Sequence, residues 1–244
     1  MKDMNRVQRG FTVIEVMLFL AVSGALAAGI LGTVGSTIGA QRYRDAVDAF
    51  ESYIQGQYNQ TINVRNDLDR HAECVDGAFS PASLVQAGTS TCAVIGRFIQ
   101  SSDGRRFESQ PIYMSGVTNN FVQSGTGDDT VFAPSAADNR RVFVNDSAEK
   151  DNYSLDWGTE TQAPESGANA WSIAIVRSPV SGVIHTYTSR RVLTLQNLLS
   201  NDNRRENTVI CINPSGWLVG QTLGVTILAD APGASSVRTG TEGC

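Results

Sequence analysis

The chain has 244 residues, 41% hydrophobic and 18% charged, which suffices for one globular domain with an appendage or two small domains and excludes a disordered protein. Its formal net charge of −5 gives no general attraction to nucleic acid or acidic membrane surfaces, although four Arg-Arg pairs (105/106, 140/141, 190/191 and 204/205) can make local basic patches.

Residues 1–10, MKDMNRVQRG, are polar and carry Lys2, Arg6 and Arg9 against Asp3. Residues 11–39, FTVIEVMLFLAVSGALAAGILGTVGSTIG, then hold a single charge, Glu15. At 1.5 Å per residue this stretch crosses a hydrocarbon core of about 30 Å with some to spare, with the basic leader on the cytoplasmic side. A charge at the centre of a membrane helix costs about 2.5–3.5 kcal/mol on insertion scales, so Glu15 demands a role. Three readings compete. An ordinary secretory signal has small residues at Ala25 and Ala27 for cleavage, but Glu15 weakens its apolar region and hydrophobicity continues well beyond the cut. A plain single-pass anchor explains the length and leaves Glu15 idle.

The third reading is a resemblance. RG-FTVIE resembles the type IV prepilin signature: a short basic leader ending in Gly, then Phe, three mostly apolar residues and Glu. The resemblance implies cleavage between Gly10 and Phe11 by prepilin peptidase, N-methylation of Phe11, and Glu15 as the fifth mature residue. The chemistry is consistent with it. Cleavage creates an α-ammonium at Phe11, and in a bundle of such helices the carboxylate of one subunit can pair with the ammonium of another. Opposite charges about 4 Å apart gain about 4 kcal/mol gross at an effective dielectric near 20, comparable to the insertion cost. The simpler alternative is that Glu15 complements its own helix N-terminus, worth roughly 0.3–1 kcal/mol.

Gly24, Gly29, Gly32, Gly35 and Gly39 are dense for a helix and predict local unwinding or tight packing around residues 24–35 in an assembled state, where pilins often carry a helix-breaking proline. Past the membrane, Tyr43, Val47, Phe50, Ile54, Tyr58 and Ile62 recur at helical spacing and leave Arg42, Arg44, Asp45, Asp48 and Glu51 on the other face. The helix is expected to run to about Asn66, with a break near Gly56 as the alternative.

Beyond it the expected elements are one or two helical turns at 81–88, paired strands at 92–100 and 108–117 about a turn at 102–104, and a hairpin at 171–189. A short helix is expected at 190–200 and strand, turn, strand over 207–220, a pattern similar to the C-terminal part of some minor pilins and pseudopilins. Residues 119–170, rich in Gly, Ser, Asp, Asn and Thr, read as a long surface excursion. Cys74, Cys92, Cys211 and Cys244 form no CxxC. Outside the cytoplasm they suit two disulfides, and of three possible pairings the sequence-local ones, Cys74–Cys92 and Cys211–Cys244, are favoured.

No enzyme is expected: His71 and His185 are the only histidines, and there is no HExxH, P-loop or glycine fingerprint. No metal or cofactor is expected either. The acidic stretches 127–130 and 145–152 match no EF-hand spacing and read as solvated loops. DNA is a weak candidate through the Arg pairs.

The expected fold is therefore α+β and pilin-like, a long N-terminal helix packed on an antiparallel sheet. It divides into a leader (1–10), a transmembrane and assembly half-helix (11–39), an exposed half-helix (40–70) and an extracytoplasmic body (71–244). The resemblance implies a structural subunit, major or minor, of a type IV pilus-like filament. The implied partners are other pilin subunits, prepilin peptidase, membrane lipid before assembly, an inner-membrane assembly platform and a separate assembly ATPase. The chain would lie in the cytoplasmic membrane before assembly and in a cell-surface pilus afterwards. The alternatives are a pseudopilin of a type II secretion or DNA-uptake system, and an anchored binding domain that never polymerises.

Overall fold

The computed structural model describes residues 11–64, 73–75, 78–80, 92–115, 142–146, 150–162, 169–179, 181–199, 207–216, 220–228 and 233–244. The leader, His71, the turns expected at 81–88 and the acidic run 127–130 lie outside the described residues.

Helix α1, Val13–Ile62, is continuous over 50 residues, about 75 Å at 1.5 Å per residue. It passes Gly56 without a break and stops short of the expected Asn66, at Asn63, whose N–H donates to the Asn59 carbonyl at 2.9 Å. Tyr43, Val47, Phe50, Ile54 and Tyr58 are buried as their spacing predicts, but Ile62 is 38% exposed and Thr61 is buried instead. The reason is angular. At 100° per residue Thr61 returns to the azimuth of Tyr43, whereas three successive steps of four carry Ile62 about 100° away from it.

The strands are β1 (Glu73–Val75), β2 (Ala78–Ser80), β3 (Cys92–Ser101), β4 (Arg106–Ser115), β5 (Val142–Val144), β6 (Asp151–Ser154), β7 (Glu160–Gln162), β8 (Trp171–Arg177) and β9 (Ile184–Ser189). After them come the one-turn helix α2 (Leu195–Leu198), β10 (Thr208–Asn213), β11 (Leu223–Ile227) and β12 (Val237–Gly240). Among the described residues all pairings are antiparallel, in a small β1-β2 sheet and two larger ones. The six-stranded sheet has the order β5-β4-β3-β8-β9, with β6 also pairing β4; the four-stranded sheet has the order β12-β11-β10-β7.

The helix thus packs on two sheets where one was expected. Its stripe shares a core with Ile99, Phe107, Ile173 and Ile175 of the larger sheet and with Ile210, Ile212, Val225 and Ile227 of the smaller. On the opposite face of the larger sheet, Phe98, Ile112, Met114, Ala174, Val176 and Tyr187 pack with Leu195, Leu198 and Leu199. Both faces of β8 are therefore buried, which accounts for its apolar run in place of an alternating one.

Residues 119–170 are not wholly a surface excursion. Residues 142–144 and 151–154 extend the larger sheet, and 160–162 form an edge of the smaller. Three or four residues per strand is too short a run to show a period against a polar background. β10 pairs with β11, Leu223–Ile227, while 217–219, where the second strand was expected to begin, lie outside the described residues. The turn after β10 is built by Asn213, whose Oδ1 accepts from Ser215 N at 3.0 Å.

The disulfides are Cys74–Cys92 and Cys211–Cys244, with Cα separations of 5.1 and 5.6 Å. Closing loops of 18 and 33 residues stabilises by about 3–4 kcal/mol each in the chain-entropy model. Gly224 faces the second bridge: a Cβ there would lie 2.5 Å from Cys244 Sγ, so the sulfur occupies the space a side chain would need.

Four tyrosines lie between helix and sheets. Tyr53 stacks on Tyr153 with ring centroids 4.2 Å apart, and the Tyr58 hydroxyl is 2.7 Å from Thr186 Oγ1. Burial pushes the phenols of Tyr53, Tyr58 and Tyr153 from 10.0 up to about 12 and also raises Tyr43. The unfolded chain therefore releases these protons first, so their contribution to stability is complete below pH 10 and lost as pH rises towards 12. In an alkaline titration, phenolate absorbance from these residues should appear together with loss of near-UV circular dichroism. Ionisation of all six tyrosines near their ordinary value in a still-folded chain would contradict this.

Candidate functional site

The helix begins with a reciprocal cap. Thr12, in extended conformation, accepts a hydrogen bond at Oγ1 from Glu15 N at 3.3 Å, and Glu15 Oε2 accepts from Thr12 N at 3.3 Å. This is a capping box. The carboxylate thereby lies at the positive end of the helix dipole, the simpler of the two roles expected for it. The spacing Thr-x-x-Glu signals this device in the sequence, and Thr12 is the residue the sequence reading missed. Phe11 precedes the helix and is 83% exposed. Gly10 lies outside the described residues.

From Val13 to Ile38 the large apolar side chains are exposed, among them Ile14, Met17, Phe19, Leu20, Leu26, Leu31 and Val34. None of the most apolar window is buried against the body, and the helix is long and apolar enough to cross a membrane. Apolar residues around the whole circumference need lipid or other helices on every side, unlike the single stripe further along. Nothing lies within 4 Å of where a Cβ would stand at Gly24, Gly29, Gly32 or Gly35, so these glycines leave flat surface for a close-packed neighbour. The helix is not unwound there in the single chain.

The second half of α1 ties this surface rigidly to the body. The Tyr43 hydroxyl donates to the Ile212 carbonyl at 2.7 Å and accepts from Leu223 N at 2.6 Å. Glu51 accepts from the Thr239 hydroxyl. The buried Arg97 donates to Gln57 Oε1 at 3.0 Å and to Ser109 Oγ at 2.8 Å, and pairs with Asp151. Any displacement of the helix is therefore passed to both sheets.

Among the described residues the weaker candidates do not converge. His185 is in β9, and Asp151 of the acidic stretch 145–152 is engaged by Arg97. Arg105 pairs with Glu160 at 3.0 Å, while the pairs 140/141 and 204/205 lie outside the described residues.

Comparison with known families matches residues 5–31 to the prokaryotic N-terminal methylation motif, the signal of type IV prepilins. No curated protein and no solved structure matches the chain. The matched segment contains Gly10, Phe11, Thr12 and Glu15 and ends within the exposed apolar half of α1. The motif marks a pilin-type structural family and implies processing by prepilin peptidase and assembly with other pilins.

Proposed function

Proceeding from a prepilin signal at the head of a membrane-length helix, we propose that this chain is a structural subunit of a type IV pilus-like filament. Prepilin peptidase removes residues 1–10 by cleaving after Gly10, and Phe11 is N-methylated. Residues 11–39 hold the subunit in the cytoplasmic membrane and then form the filament core. From residue 40 to Ile62 the helix continues into the body, and residues 71–244 face outward on the cell surface. An inner-membrane platform and a separate cytoplasmic ATPase drive assembly, and other pilin subunits surround the apolar helix.

The observation that carries this reading is the joining of two surfaces in one unbroken helix: an all-round apolar half behind the signal, and a half locked into two sheets. A plain anchor needs no such rigidity, because a flexible linker serves it equally well. Mass spectrometry of the N-terminus tests the reading. A chain starting at methylated Phe11 is expected; an intact leader ending in Gly10 would replace the filament subunit with a single-pass anchored domain.

A further inference from the structure

Where the helix leaves its apolar half, the body presents an exposed aromatic residue on a strained turn. Trp157 is 50% exposed and has φ 58° and ψ 22°, a left-handed conformation uncommon for a bulky residue. The turn is fixed on both sides. Thr159 N and Oγ1 both donate to the Asp156 carbonyl, at 3.2 and 2.8 Å, and Ser215 Oγ donates to the Gly158 carbonyl. Leu155, just before it, is buried and donates to the Arg105 carbonyl at 2.9 Å. So much anchoring around an outward-facing indole implies that its position matters.

Its level along the helix is set by Arg42, whose guanidinium carbon lies 4.6 Å from the Trp157 ring centroid. Arg42 is the first charge after Glu15, and residues 16–41 between them are uncharged. That stretch is about 39 Å long at 1.5 Å per residue, close to the roughly 40–45 Å of a bilayer with its headgroup layers. With Glu15 at the inner headgroup layer, Arg42 and Trp157 fall in the outer one. Tryptophan is enriched at that depth because its ring is apolar and its N–H finds a polar partner. Arg42 and Arg44 are offset by Asp45 on the same helix and Asp156 on the turn, so the pole suits a zwitterionic headgroup layer better than an anionic surface.

We infer that Trp157, held against Arg42, seats the membrane-proximal pole of the body in the outer headgroup layer while the subunit awaits assembly. This rests on residues 11–39 spanning the membrane. It sets the depth of the body and so the height at which a neighbouring subunit meets it.

The test uses the full chain carrying Trp217→Phe, reconstituted in phosphatidylcholine vesicles. Trp157 and the fully buried Trp171 are then the only fluorophores of their kind. Phosphatidylcholine brominated near the headgroup should quench the emission about twofold more than the same lipid brominated near the chain ends, and Trp157→Phe should abolish the difference. A chain that floats with the vesicles but shows no preferential shallow quenching overturns the seating alone. A chain that does not float overturns the membrane-spanning reading and the seating with it.

Discussion

Replacing Glu15 by glutamine is expected to leave the chain in the membrane and keep it out of filaments. Glutamine can serve as the third residue of a capping box, so Glu15→Gln preserves the local hydrogen bonds with Thr12 and removes only the charge. Two roles for Glu15 are thereby separated. If the carboxylate acts on its own helix end, the variant loses a few tenths to about 1 kcal/mol and incorporates almost normally. If it pairs with the Phe11 ammonium of another subunit, up to about 4 kcal/mol gross is removed at every joint. A net loss of about 1.4 kcal/mol already lowers incorporation tenfold. Glu15→Leu should fail equally, although it leaves the apolar half of the helix without a charge and so does not weaken membrane retention. The measurement is the amount of labelled subunit in sheared filaments relative to that in the membrane fraction. Wild-type incorporation of the glutamine variant would reduce Glu15 to a helix cap.

Elements of the fold differed in how openly the residues announced them, and the physical reasons are distinct. The buried helix face was legible because five side chains from Tyr43 to Tyr58 keep one azimuth; it became illegible at Ile62, where an apolar residue has rotated off the face and a threonine takes its place. Thr61 can be buried because its hydroxyl donates back to the Gln57 carbonyl at 3.0 Å. The long hairpins β3-β4 and β8-β9 carry enough residues for a strand signal, whereas β5, β6 and β7 owe their existence to the free edges of β4 and β10 and are tertiary in origin. Local pairing of the cysteines needed only chain proximity. The division into two sheets had no local signature, because β7 and β8 join different sheets although few residues separate them. At the N-terminus, Glu15 stood out as a lone charge, but its partner Thr12 did not, since a threonine in an apolar run is unremarkable until the Thr-x-x-Glu spacing is read. Arg97 and Trp157 were missed for a common reason: what distinguishes each is a long-range neighbour, Asp151 in one case and Arg42 in the other.

A second large effect is expected at Gly96, inside β3, where the register with β4 shifts between Val94 and Gly96. An isolated glycine in a strand pattern marks a bulge or a close backbone approach, and this one marks both. A Cβ at Gly96 would stand 2.1 Å from the Ile175 carbonyl oxygen and 3.0 Å from the Val176 Cα. Both neighbours are backbone of β8, so no side chain can rotate away. To accept alanine, β3 and β8 must part by more than an ångström in the middle of the larger sheet. This weakens ladder hydrogen bonds worth about 1 kcal/mol each and loosens the packing on both faces. Gly96→Ala should therefore destabilise the body by about 3–5 kcal/mol, a large share of a typical 5–15 kcal/mol. Gly56→Ala is the matched control. It lies in α1 with nothing within 4 Å of its ideal Cβ, and there alanine should stabilise by about 0.5–1 kcal/mol through helix propensity. Denaturant unfolding of both variants, followed by near-UV circular dichroism in detergent, should move the midpoint in opposite directions. A Gly96→Ala midpoint equal to wild type would mean that the bulge relaxes freely and that the glycine is not required for the close approach of the two strands.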